Sequence, residues 1–364
     1  MEPGLLGCGG NAMLLGNEAV LALAKPILHH LAKPGVTEVA INRPKELFVE
    51  TDNGWERFEE PTLDLQSLRS LASSIASYNK QTISSTEPLL SASLPGGERV
   101  QIVMDPAVPA GTFSMTIRRP DSRIKALSEY VESGMFADTG RPVLSHSDIS
   151  SEEEKGLSLL QAQEIGEFLQ YAVKQHLNIA IVGDTGSGKT TLMKSLCQEI
   201  EPWERIVTIE DVRELMLPNH LNQVNLLYSK GGQGMAKVEP KDLIQSCMRM
   251  KPNRVLLAEL RGAESYDFLK LLTSGHSGSI TSWHAENCRR AVSRFVLMAK
   301  EHPEAAAYEV SDLTNLFFTA MDVIAHVRAV PVFDDEGRQI GKKRVMTEIY
   351  FDPRRKVDLA YGTQ

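Results

Sequence analysis

The sequence predicts a mixed α+β amino-terminal domain followed by an α/β domain, and three observations predict this. The chain has 364 residues, more than one ordinary core requires. Helix and strand signals mingle over residues 1–137, and a polar stretch at 138–158, rich in serine and carrying Glu152-Glu153-Glu154, reads as a linker. Over residues 159–364, apolar strands alternate with helical patterns to about residue 330, as in a mostly parallel sheet covered by helices.

Taken in order, Val20, Ala24, Ile27, Leu28 and Leu31 recur at helical spacing within residues 17–33, and Pro26 predicts a break or kink. Residues 36–42 and 46–50 alternate like strands, and Asp52-Asn53-Gly54 offers a hairpin turn. Residues 63–78 read as a helix, and 89–94, 99–104 and 113–117 as three more strands, the first two joined by Pro95-Gly96-Gly97. Beyond the linker, a helical pattern at 159–175 opens the alternating region. It ends in a hairpin, 323–333 against 344–351, around Asp334-Asp335-Glu336-Gly337.

Composition excludes several classes of function. A net charge of −8 rules out a nucleic-acid coat held by bulk positive charge, so no specific nucleic-acid binding is expected. Cys8, Cys197, Cys247 and Cys288 form no C-x-x-C pair, which supports neither zinc nor a disulfide framework. No basic residue precedes Lys25 and no apolar run approaches twenty residues, so neither a signal peptide nor a membrane span is expected. Gly7-Cys8-Gly9-Gly10-Asn11-Ala12 matches a loose dinucleotide pattern, yet no strand can precede it, and it reads as a flexible terminus.

The sharpest signal is Gly183-Asp184-Thr185-Gly186-Ser187-Gly188-Lys189-Thr190, which fits G-x-x-x-x-G-K-[ST]. A short apolar strand precedes it and a helix beginning with Thr191 follows. Glycines let the backbone amides and the helix start wrap phosphate oxygens. Lys189 is expected on the β- and γ-phosphates, and Thr190 on Mg²⁺. ATP with Mg²⁺ is therefore the expected ligand.

A phosphate-loop ATPase also needs carboxylates at neighbouring strand ends. Arg205-Ile206-Val207-Thr208-Ile209-Glu210-Asp211 and Arg254-Val255-Leu256-Leu257-Ala258-Glu259 both end in acids. Downstream, His276 and His284 lie on a Gly/Ser turn and the strand it enters, a spacing unlike zinc sites. Their place after the Glu259 strand makes them candidate γ-phosphate sensors.

These motifs together resemble the secretion traffic ATPases, hexameric motors of type II secretion, type IV pili and type IV secretion or conjugation. The resemblance rests on the phosphate loop, the acidic box 208–214, the strand end 257–262 and the histidine box 275–285. Residues 38–44 and 113–120, with Tyr228-Ser229-Lys230, resemble the type IV secretion or conjugation branch rather than the pilus-retraction motors. Ala263, where an acid often follows Arg-Gly, and Trp283, where leucine is usual, depart from the pattern.

The resemblance implies a RecA-like ATPase domain, with Glu210 polarising the water and Glu259 acting through the metal shell, or those roles exchanged. His276 and His284 would read the γ-phosphate. Arginines of the amino-terminal region would reach the nucleotide, with Arg118, Arg119 and the linker's Arg141 as candidates. It further implies a homo-hexamer in the cytoplasm, joined to the inner membrane through other ATPases and membrane components of a secretion system. Residues 338–356 hold seven bases, consistent with a solvated hairpin face or with docking onto an acidic partner or anionic membrane. Two rival readings share the loop. A DNA-translocating motor lacks a basic, aromatic-lined channel here, and intact Lys189, Glu210 and Glu259 argue against a non-hydrolysing scaffold.

Overall fold

Two helices lie on one face of an antiparallel sheet in the first domain, and the second domain covers the other face. The computed structural model describes residues 9–119, 126–135, 149–229 and 236–361. Strands β1 (Glu38–Ile41), β2 (Glu46–Thr51), β3 (Gly54–Glu59), β4 (Leu89–Ser93), β5 (Arg99–Val103) and β6 (Ser114–Arg118) form a six-stranded sheet ordered β3-β2-β1-β6-β5-β4. Alternation sends Val39, Ile41, Val100, Ile102, Met115 and Ile117 to one core with Val20, Ile27, Leu68 and Ile75 of helices Gly9–Leu31 and Leu65–Tyr78. Glu38, Gln101 and Thr116 occupy the other face and are buried as well.

Three local expectations change. The first helix continues through Pro26, because the carbonyl that proline frees is that of Ala22, on the exposed side, while Ala24, Ile27 and Leu31 are anchored in the core. The same helix includes residues 9–12, expected as a loose terminus, whose Ala12 is followed by the strong helix formers Met13, Leu14 and Leu15. The end of the expected linker is helical: Ser151–Gln161 starts at Ser150, whose hydroxyl accepts the Glu153 N–H while the Glu153 carboxylate accepts the Ser150 N–H. Its acidic triplet is thus a favourable first turn. Cys8, Arg141, Lys230 and most of the expected linker lie outside the described residues.

The second domain is a seven-stranded sheet: β7 (Ile179–Val182), β8 (Ile206–Glu210), β9 (Gln223–Leu227), β10 (Arg254–Leu257), β11 (Ile280–Trp283), β12 (Val323–Phe333) and β13 (Gln339–Phe351), ordered β13-β12-β7-β11-β10-β8-β9. All pairings are parallel except β12 with β13. Helices cover both faces, and the parallel strands read as apolar runs because both faces are buried. Trp283 is fully buried between Phe295 and Phe317, with its indole N–H donating to Ala291 O at 3.1 Å, so this core accommodates the larger side chain.

The first domain lies along edge strand β9. Ala107 O accepts the Leu227 N–H at 2.8 Å, and Val103, Ala107 and Val108 join the second domain's core. Fully buried Arg205 spans the junction with no carboxylate on its guanidinium among the described residues, donating to Met250 O, Asn42 Oδ1, Asn222 Oδ1 and Thr116 Oγ1. Burial pulls its pKa down to about 10, against the opposing pull of Glu38 and Glu50.

Candidate active site

Parallel pairing brings the carboxyl ends of β7, β11, β10 and β8 side by side, and the chemistry-bearing residues follow those ends. After β7 the chain winds through residues 183–188 into helix Lys189–Cys197. Gly183 packs so closely on Val327 O of β12 that a Cβ there would collide. The loop lines a cavity of about 320 Å³ with Thr185, Gly186, Gly188, Thr190, Thr191, Asp211, Glu214, Glu259, Arg261, Ser282, His284 and Arg344.

Lys189 folds along the loop, donating to Gly183 O at 2.9 Å and Asp184 O at 3.0 Å, with His284 Nδ1 at 3.3 Å. Burial lowers the pKa of its ammonium, while Glu259 and Asp184 pull it back. His284 Nε2 lies 2.9 Å from Glu259 Oε1, and Arg261 holds Glu259 Oε2 through Nε at 2.8 Å. The same guanidinium reaches Asp211 Oδ2 at 2.8 Å. Lys189, His284, Glu259, Arg261 and Asp211 thus form one connected row of polar and charged side chains along the cavity. Glu264, one residue past Ala263, takes the N–H groups of Arg261 at 2.6 Å and Gly262 at 3.0 Å, so the acid expected at 263 is supplied from the next position.

Other expected residues are placed elsewhere. Glu210 is fully buried and does not line the cavity. It accepts the Thr208 hydroxyl at 2.8 Å and the N–H groups of Glu214 at 2.7 Å and Leu215 at 2.8 Å. Its oxygens are needed by backbone donors that would otherwise be orphaned. His276 precedes the amino end of β11, opposite to His284, so the strand itself separates the two histidines. It lines an interdomain cavity of about 750 Å³ with Glu38, Arg99, Arg118, Arg249 and Lys251. Arg118 therefore does not face this chain's phosphate loop. Arg119 donates to Leu31 O at 3.1 Å, capping the end of the first helix.

Sequence reasoning missed Glu214, Arg99 and Arg344 as candidates. Glu214 lies four residues past Glu210 in the acidic box, and Arg99 stands directly opposite Arg118 in the β5–β6 register. Arg344 belongs to the basic hairpin and, though exposed, lines the phosphate cavity. A Thr190 hydroxyl lining the cavity without a partner among the described residues, and a buried, unpaired Ser187 Oγ, suit a ligand rich in oxygen charge. Among the described residues no helix is long and apolar enough to cross a membrane.

Known proteins are similar to this chain in sequence and in fold. The family model described as Type II/IV secretion system protein matches residues 22–350. The chain is 42% identical over 334 residues to the type IV secretion system protein VirB11 of Brucella suis, covering 91% of this chain and 90% of that protein. It is 39% identical over 363 residues to VirB11 of Bartonella quintana, covering 97% and 99% of the two chains. The crystal structure of the VirB11 ATPase from the Brucella suis type IV secretion system, in complex with sulphate, superposes with a TM-score of 0.87 at 39% identity, covering 96% of this chain and 99% of that one. With the matched region spanning both domains and the phosphate loop, the chain belongs to the type II/IV secretion system protein family.

Proposed function

We propose that this chain is the ATP-hydrolysing motor of a type IV secretion system, working as a ring of six copies that turns nucleotide binding and hydrolysis into domain movement. The single observation that carries the reading is the phosphate loop, with Lys189 at the head of a row of charged and polar side chains on adjacent parallel strand ends. Its standing as a secretion ATPase rests also on the family match and on VirB11 relatives across nearly the whole chain.

The loop amides and Lys189 bind the triphosphate, and Lys189 exchanges its carbonyl partners for phosphate oxygens. Thr190 and Glu259, which line the cavity, would hold Mg²⁺, and the ion would neutralise charge on the phosphate oxygens. Glu214 orients the attacking water: unlike Asp211 and Glu259, its carboxylate has no partner among the described residues, and it faces the cavity. Glu210 holds the Glu214 backbone in place. His284, bridging Lys189 and Glu259, registers the γ-phosphate through either neighbour.

The amino-terminal arginines act on another copy. Arg118 and Arg99 face a cavity away from this chain's own loop, so contact with nucleotide requires a neighbouring subunit. Charge arriving in trans makes turnover conditional on assembly and closure. His276 belongs to this interdomain surface. Co-expressing Arg118→Ala with Lys189→Ala tests the proposal, since mixed rings pair an intact loop with an intact arginine. ATPase activity well above either variant alone is expected, and none above their sum contradicts the trans contact.

A further inference from the structure

The phosphate loop has a neighbour on its other flank, strand β13 of the carboxy-terminal hairpin. We propose that Arg344 grips the part of the phosphate chain common to ADP and ATP. This rests on the nucleotide reading of the cavity and adds to it a contact made within the same subunit.

Arg344 lines the phosphate cavity, and its side chain lies against the loop so closely that a Cβ on Gly188 would stand 2.7 Å from Arg344 Cδ. Gly188 also adopts φ +99°, a left-handed conformation that favours glycine. Three other bases of the hairpin and following helix are engaged, and of the rest only Arg344 lines the phosphate cavity. Arg338 pairs with Asp334 and Glu336, Arg355 lies 3.6 Å from the centre of the Phe318 ring, and Lys356 pairs with Asp322 at 2.5 Å. Arg344 has no hydrogen-bonded or ion-paired partner among the described residues. It sits instead beside Lys189 and the amino end of helix Lys189–Cys197, whose dipole is positive there. Three positive features around one cavity repel one another until an anion lies between them.

The strand is shaped to deliver this side chain. In the β12–β13 register, His326 faces Glu348 while Val327 faces Met346, leaving Thr347 as an extra, bulged residue. The bulge changes the alternation, so Met346, Ile349 and Phe351 all pack on the cluster containing Met193 and Leu196 of the phosphate-loop helix. Arg344, two residues before Met346, shares that face and extends it over the loop. Glu348 and Tyr350 turn to the opposite face.

Sheet order selects which phosphates it meets. β12 and β13 lie on one side of β7, whereas β11, β10 and β8, with His284, Glu259 and Asp211 at their ends, lie on the other. Water attack belongs to the second side, with Glu214. Arg344 approaches from the first, and its planar fork suits phosphate oxygens that remain after hydrolysis.

Displacement of a fluorescent ADP by ADP and by a nonhydrolysable ATP analogue, on wild type, Arg344→Ala, Arg344→Lys and Lys189→Ala, tests this alongside steady-state turnover. Arg344→Ala is expected to lose about tenfold in affinity for both nucleotides by the same factor. KM should rise similarly, with kcat falling far less, and Arg344→Lys should recover part of the loss. Equal affinities for wild type and Arg344→Ala overturn the inference, as does a loss confined to the ATP analogue or a fall in kcat at unchanged KM. Ligand-free melting curves distinguish lost contact from lost fold. If Arg344→Ala melts early, Arg344→Lys decides, by a smaller but still equal loss for both nucleotides or by none. Wild type that binds neither nucleotide would instead bring down the nucleotide reading itself.

Discussion

Glu210 accepts the backbone N–H of Glu214 at 2.7 Å, so a fully buried acid fixes the position of an exposed one at the phosphate cavity. The two carboxylates should therefore fail differently. Glu214→Gln is expected to keep ADP affinity within about twofold while kcat falls roughly 10²–10⁴-fold. Glu210→Ala strands the Glu214 and Leu215 amides and should cost about 2–4 kcal/mol of stability besides activity. Phosphate release with denaturant melts distinguishes them, and a stable, inactive Glu210→Ala beside an active Glu214→Gln would reverse the assignment.

Arg205 joins the domains by donating to neutral oxygens of Asn42, Thr116, Asn222 and Met250, with its guanidinium 5.4 Å from the centre of the Trp55 ring. Arg205→Met removes four donations at once and strands buried acceptors such as Asn42 Oδ1 and Thr116 Oγ1, while Asn222 Oδ1 keeps the Asn42 amide. A loss of about 3 kcal/mol is expected. Because the domains then melt less cooperatively, calorimetric scanning should resolve two transitions where wild type shows one. A single, unshifted transition would show that the apolar packing of Val103, Ala107 and Val108 suffices.

Glu38 gives the interdomain surface a pH dependence. Burial raises its carboxyl pKa from 4.5 to about 7, with Lys251 opposing. With the folded value above the unfolded one, its contribution to stability is full below about 4.5 and lost as pH rises through about 7. Glu38→Gln stays neutral throughout. The melting temperature of Glu38→Gln minus that of wild type should thus increase from pH 5 to pH 8.5, measured in one buffer series. A constant difference contradicts a buried carboxylate at this site.

The parallel sheet and the loop were legible because both write themselves locally: apolar strands such as 179–182, and glycines at fixed offsets before Lys189. Long-range placement was not. His276 and His284 lie eight positions apart in sequence, yet a strand between them puts them at opposite ends of the sheet. Alternate polar residues of β1, β5 and β6 look like a solvated face, and only the docked second domain buries Glu38, Gln101 and Thr116. Arg344 was hidden for the same reason, since its neighbour Gly188 is more than a hundred and fifty residues away in the chain. The helix at Ser150 was different: a capping signal was present locally but masked by its polar composition.

The account stands or falls on the loop gripping a triphosphate. Calorimetric titration of wild type and Lys189→Ala with magnesium adenylates tests this most directly. Binding by wild type, weakened about a hundredfold or more in Lys189→Ala at unchanged fold, is the expected result. Equal heats from the two proteins, or none from wild type, would contradict it.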